Sequence, residues 1–415
     1  MKISIRPRDE RTQPARIIEG YPQTPLRNPV QPLVKRAPTL SELTGPLDVA
    51  RRVKLLGGDI AGHGDKQAIG QLIHLKVRVL DEDGAPVGGA VVEVWQANGA
   101  GRYIHPNDDD HAPADANFYG AARLVTDETG AFMLRTVKPG AYPVPTKDGW
   151  WRPPHIHFSL FGKVWLSRLV TQMYFPGEPL NGQDRILNAV PGRHRARPPG
   201  CALHPAGEGS LQRARVRAPD RAARQRRHAR TAMKRAAMIP TGEATIGPFF
   251  PPRYVDAGTN DLTQFEGRKA KGEVIEIHGR VVQEDGSALE NLIVEIWQPD
   301  ARGIFRHPAD PRHAQADPDF FGWGRAATDK EGRYSFRTIK PGAPQGRQPH
   351  INFIVMYSGL MRILKTTMFF DDAPDPVLDL VLNRKNLLIG KKTSQALYTF
   401  DIRLRGENET PFFDD

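Results

Sequence analysis

The chain repeats itself at a fixed spacing, and this limits its architecture more than any other feature. Val91–Tyr103 (VVEVWQANGAGRY) matches Ile293–Phe305 (IVEIWQPDARGIF) at an offset of 202 residues. At the same offset Asn117–Gly120 (NFYG) meets Asp319–Gly322 (DFFG), and Thr126-Asp127 meets Thr328-Asp329. Leu134–Gly140 (LRTVKPG) likewise meets Phe336–Gly342 (FRTIKPG). Beyond that point the second copy is seven residues shorter, and Pro154–Phe158 (PHIHF) meets Pro349–Phe353 (PHINF). A register held this long is the mark of a duplicated structural unit.

Each copy reads as short strands between turn signals. In Leu72–Leu80 (LIHLKVRVL), Leu75, Val77 and Val79 alternate with Lys76 and Arg78. Asp-Gly turns follow at Asp83-Gly84 and Asp285-Gly286. The pattern predicts a mainly β protein with little helix: two tandem antiparallel β-sandwich domains. Residues 1–50 read as an extended N-terminal arm lying on a partner surface. Residues 51–191 form the first sandwich, 192–235 a linker, and 236–415 the second sandwich.

The linker explains the charge. The net charge is +11, and Gly192–Arg235 holds 13 Lys and Arg against only Glu208 and Asp220, the whole excess. A basic stretch without interleaved aromatics is a poor platform for bases, so no nucleic-acid partner is expected. The segment is Arg/Ala/Pro/Gly-rich and aperiodic. It reads either as a disordered linker or as the product of a shifted reading frame, with Met233 the start of a once separate chain. The second copy ends in a closing strand, Tyr398–Asp414 (YTFDIRLRGENETPFFD), while the first has no equivalent after Val190. Cys201 is the only cysteine, which excludes an intrachain disulfide and cysteine-rich metal sites. No run of apolar residues reaches membrane-spanning length, and the charged N-terminus lacks an apolar signal core. A soluble, cytoplasmic protein with no membrane partner is expected.

The chemistry lies in Trp150–Phe158 (WWRPPHIHF). In a strand, residues i and i+2 share a face, so His155 and His157 project together. Such a pair is by itself more often two core histidines than a metal half-site. The second copy changes that balance. Tyr103 becomes Phe305, Tyr142 becomes Pro344 and His157 becomes Asn352, while His155 is kept as His350. Scaffold residues persist, and three of four candidate ligands are exchanged for groups that bind metal poorly. Phenolate is a hard anionic oxygen ligand, so two Tyr and two His suit ferric iron better than zinc.

The motifs GRYIHPNDDD, NFYG, RTVKPGAYP and WRPPHIHF closely resemble the intradiol ring-cleavage dioxygenase family, specifically its protocatechuate-cleaving branch. Residues 1–191 resemble the iron-bearing β-type subunit, and residues from about Met238 onward the metal-free α-type subunit. The resemblance implies one Fe(III) per chain, held by Tyr103, Tyr142, His155 and His157. It implies cleavage of protocatechuate by O2 to 3-carboxy-cis,cis-muconate, in aromatic catabolism by the β-ketoadipate route. Tyr142 would dissociate when the catechol binds, and Arg152 would stabilise negative charge on the ring, with Gln172 close by. Tyr21, Thr245, Gly247 and Pro248 would line the substrate pocket, so the two halves would pair within one chain. A homo-oligomer of fused αβ units is implied as well. The family's Trp-Arg pair after the dissociable tyrosine stands here as Val144-Pro145, and its α-type arginine near the substrate carboxylate as Ser358. The alternatives are a catechol or hydroxyquinol dioxygenase, a non-catalytic transthyretin-like binding sandwich (the reading that suits residues 238–415 alone), or a fused chain inactivated by the missing closing strand.

Overall fold

A computed structural model describes residues 9–191 and 240–414; the linker at 192–235 lies outside them. The protein is mainly β, with three short α-helices among the described residues. The first half has strands β1 (Leu72–Arg78), β2 (Val91–Trp95), β3 (Ala121–Val125) and β4 (Ala131–Val137). A short hairpin follows, β5 (Tyr142–Pro143) and β6 (Trp151–Arg152), then β7 (His155–Leu160) and β8 (Leu169–Tyr174). A four-stranded sheet in the order β8-β7-β2-β3 faces the antiparallel pair β1-β4.

The second half repeats this plan with β9 (Val274–Val282), β10 (Ile293–Trp297), β11 (Trp323–Ala327), β12 (Arg333–Ile339), β13 (His350–Met356) and β14 (Leu364–Phe369). It adds β15 (Leu397–Thr399) and β16 (Ile402–Arg403), both running parallel to β9. Gly84 and Gly286 take positive φ at the Asp-Gly turns, a backbone state that favours glycine.

Each sandwich has its own core. Ile73, Leu75, Val92, Val94, Phe132, Ile156 and Phe158 fill the first, and Ile275, Ile277, Val294, Phe336, Ile351 and Phe353 the second. A third cluster joins the halves and holds Trp95, Phe161, Tyr254, Trp297, Trp323 and Ile354. The four-stranded sheets are therefore covered on both faces. This is why β2 and β13 are buried at every residue instead of alternating.

Within β2 the alternation survives as a choice of partner. Val92 and Val94 face their own sandwich, while Val91, Glu93 and Trp95 face the other half. Two buried carboxylates thus meet at the junction, Glu93 and its repeat counterpart Glu295. Arg325 bridges them, at 2.6 Å from Glu93 and 2.7 Å from Glu295. Arg123 pairs with Glu93 at 3.0 Å, and Arg168 reaches across to Glu295 at 3.0 Å. Burial alone would raise the Glu93 carboxyl, but Arg325, Arg123 and Arg168 hold it down at about 2. Buried charges demand such pairing, so the network fixes one orientation of the halves.

The N-terminal arm crosses to the second half. It is less extended than its proline content suggests: Gln23–Arg27 is helical, and Val34–Lys35 pairs in parallel with Phe413–Asp414. The helix Leu40–Leu43 starts at a Thr39 capping box, with Glu42 returning to the Thr39 backbone. It seats Ser41 against His350, Ser41 Oγ lying 2.6 Å from Nε2. No described helix is long and apolar enough to cross a membrane.

Candidate metal centre

Local geometry brings the four candidate ligands together. His155 and His157 share one face of β7, and that strand's antiparallel register sets Tyr174 opposite His155 and Gln172 opposite His157. The β5–β6 hairpin pairs Tyr142 with Arg152, which turns the phenol back toward the histidines. The Tyr142 hydroxyl lies 3.3 Å from His155 Nε2. Tyr103 follows the Asn98–Gly101 turn, and its backbone N–H donates to Asp108 at 2.6 Å. Its ring stands edge-on to Tyr142, with centroids 5.4 Å apart.

All four side chains are buried, at 6% exposure for Tyr103, 8% for Tyr142, 2% for His155 and 1% for His157. His155 Nδ1 is 2.7 Å from the Pro153 carbonyl, so that nitrogen carries the proton and Nε2 offers its lone pair. His157 stacks on Trp95 at 4.8 Å. Burial, then the Arg152 charge, holds both imidazoles neutral, with pKa values well below the ordinary histidine value. Burial pushes both phenols up, Tyr103 the further because Tyr142 stands beside it.

The donor set fits a ferric ion. Tyr103 Oη and His157 Nδ1 are buried with no hydrogen-bond partner, an arrangement that costs free energy unless a further group satisfies the site. Neutral imidazoles are ready ligands, and phenols with raised pKa values need a highly charged cation to lose their protons. No group of three or more His, Cys, Asp and Glu forms a metal cluster among the described residues. Any metal here depends on the tyrosines.

Arg152, only 3% exposed, closes one side of the cluster. It donates to Gln172 Oε1 at 2.7 Å and to the Tyr174 hydroxyl at 2.9 Å, and pairs with Asp184 at 3.3 Å. Gln172 in turn donates to the Thr245 carbonyl at 2.9 Å, tying the cluster to the second half. Thr245 Oγ1 donates to the Tyr357 carbonyl and accepts from the Gly247 and Gly359 N–H groups. Gly247 has φ of +70°, and a β-carbon there would lie 3.2 Å from His157 Cε1. Pro248, next in the chain, is solvent-exposed. Tyr21 packs edge-on to Trp150 at 5.3 Å in a cluster with Ile186 and Met361, and its hydroxyl lies 3.3 Å from Ser358 Oγ. Arg362, near Ser358 in sequence, turns instead to Glu10 and the Pro14 carbonyl, both at 2.8 Å.

Two members of this arrangement escape sequence reading. Tyr174 shares the face of Gln172 at i+2, a signal that was available. Asp184 was less accessible: Arg347 keeps the offset of Pro349–Phe353 from its counterpart Arg152, but Asp375, its partner at 2.8 Å, does not keep that offset from Asp184. The second copy's version of the site is plugged. Asn352 bonds Ser41 and Glu42 of the arm and accepts from Thr367, and Trp297 donates to Thr44. Gly247, 202 residues after Gly45, crosses to His157 of the first half, whereas Gly45 stays against Val164 and Trp165 of its own half, so only Ser41, Glu42 and Thr44 of the arm reach the second half's site.

Comparison with known proteins agrees with this geometry. The family model described as Dioxygenase matches residues 44–198 and again 246–406. The chain is 44% identical over 195 residues to the protocatechuate 3,4-dioxygenase beta chain of Burkholderia cepacia, covering 46% of this chain and 83% of that one. It is 34% identical over 193 residues to the alpha chain from the same organism, covering 42% and 96%. Hydroxyquinol 1,2-dioxygenase of a Rhizobium strain is 31% identical over 166 residues, covering 35% and 51%. The duplicated sandwich, the phenol–imidazole cluster in its first half and these matches agree: the chain belongs to the intradiol ring-cleaving dioxygenases, a β-type half fused to an α-type half.

Proposed function

We propose that the chain cleaves protocatechuate with O2 at a ferric centre held by Tyr103, Tyr142, His155 and His157. The observation that carries this reading is the convergence of two phenols and two imidazoles, all buried, with the Tyr103 hydroxyl left without a partner. Held by these four residues, Fe(III) would supply Lewis-acid activation of the catechol toward O2.

The chain's own residues do the rest. Tyr142, whose hydroxyl lies 3.3 Å from His155 Nε2, would serve as a metal ligand and, as the phenolate, would take one catechol proton at Oη. Arg152, fixed by Gln172, Tyr174 and Asp184, faces the negative charge that develops on the substrate. Gly247 lets the second half close over His157 without a side chain intervening. Tyr21, Trp150 and Ile186 form an apolar wall that orients the ring and excludes water. The pocket is shared, so each chain carries one complete unit.

Oxygen uptake by iron-loaded protein, compared between protocatechuate and catechol, tests the reading. Protocatechuate should be strongly preferred and yield a tricarboxylate ring-opened product. A preference for catechol overturns the substrate assignment. Tyrosinate on Fe(III) absorbs visible light, so a colourless protein at full iron occupancy overturns the ligand set.

A further inference from the structure

We propose that the outer edge of Leu72–Leu80 is an acceptor site for a separate β-strand, one with the chemistry of Tyr398–Leu404. The second half has a closing strand with no counterpart among the described residues of the first. There β9 is paired on both sides, by β12 and by the chain from Leu397 to Arg403. The Phe400 and Leu404 N–H groups donate to His278 and Val282 at 2.8 and 3.0 Å, and the Ala396 carbonyl accepts from Glu276 at 2.8 Å. Tyr398, Phe400, Ile402 and Leu404 are all at most 3% exposed, with Phe400 packed 5.1 Å from Phe353.

In the first half β1 pairs only with β4 among the described residues. The apolar side chains that a closing strand would cover stand partly open. Val79, Leu160 and Met173 are half-buried, whereas their counterparts Val281, Val355 and Met368 are completely buried. An unpaired edge beside half-covered apolar groups is a template for strand addition.

Charge narrows the occupant. His74, Lys76 and Arg78 line the exposed face of β1. In the second half the Asp401 carboxylate accepts from the Arg280 N–H, at the position equivalent to Arg78. The matching segment therefore alternates large apolar residues and carries a central acid, as Tyr-Thr-Phe-Asp-Ile-Arg-Leu does. One difference shapes the fit. Gly279 allows the Phe400 carbonyl to lie against the strand, and Val77 takes its place in the first half. The incoming strand stands off at Val77 and pairs on either side, at His74–Lys76 and at Val79-Leu80.

A fluorescent synthetic peptide of sequence 394–408, added to the full-length protein, tests this. We expect saturable binding and amide hydrogen exchange slowed at least about tenfold at His74 and Lys76, whose counterparts Glu276 and His278 face the closing chain; the alternate amides of this strand already pair with β4. The same peptide carrying Phe400→Asp and Ile402→Asp should do neither, a control that leaves the protein unaltered. The proposal is overturned if the His74 and Lys76 amides are already protected without peptide, because the chain or a second copy then covers the edge. Free exchange at saturating peptide overturns it equally.

Discussion

Glu93 of the first half and Arg325 of the second form an ion pair at 2.6 Å, with both side chains fully buried. Arg325 also serves Glu295, so one guanidinium neutralises both carboxylates of the duplicated motif. Arg325→Ala leaves two buried acids short of a partner. It should cost about 3–5 kcal/mol in chemical denaturation and loosen the pairing of the halves. A loss under about 1 kcal/mol would mean that the network does not hold the junction.

Acid should act through the same site. Glu93 titrates near 2 when folded, against an ordinary value of 4.5. A depressed carboxyl contributes stability that is present above 4.5 and lost as pH falls through 2. Denaturation midpoints should therefore drop across that window, by up to about 1.4 kcal/mol per pH unit from this group. Glu93→Gln should flatten that part of the curve.

Tyr103 Oη is buried without a hydrogen bond. In metal-free protein, Tyr103→Phe should be neutral or stabilising by about 1–2 kcal/mol, because an unsatisfied polar group is removed. After iron loading the same variant should lose visible absorbance and activity. Destabilisation of the metal-free form would show that the hydroxyl has a structural partner instead.

Gly247→Ala places a methyl 3.2 Å from His157 Cε1 on a backbone at φ of +70°. The strain is worth about 1–2 kcal/mol, and the imidazole must move. Iron retained per chain after dialysis should fall relative to the unaltered protein. Full retention with unchanged colour would separate the second half from the metal centre.

Asp184 positions Arg152 while capping Ile186 N at 3.0 Å. Asp184→Asn should lower kcat by about 10–100-fold, with visible absorbance intact because no ligand is touched. Asp184→Glu should restore part of the rate. An equal loss of iron and activity would point to simple unfolding.

The sequence by itself determined the duplication and the alternating strands, and it named the four residues proposed to hold iron. These rest on local periodicity and on comparison of the chain with itself. Tyr103, Tyr142, His155 and His157 could be named because their counterparts Phe305, Pro344 and Asn352 break a pattern that is otherwise kept. The resemblance already implied that Thr245 and Gly247 cover the first half's site; only the tertiary structure decided what covers the second. Thr245 and Gly247 lie on the first half, and Ser41 and Glu42 plug the second, because the arms cross between sandwiches. The Asp184–Arg152 and Glu93–Arg325 pairs were equally hidden. Each joins residues far apart in the chain, and what selects them is the cost of leaving a charge buried without a partner.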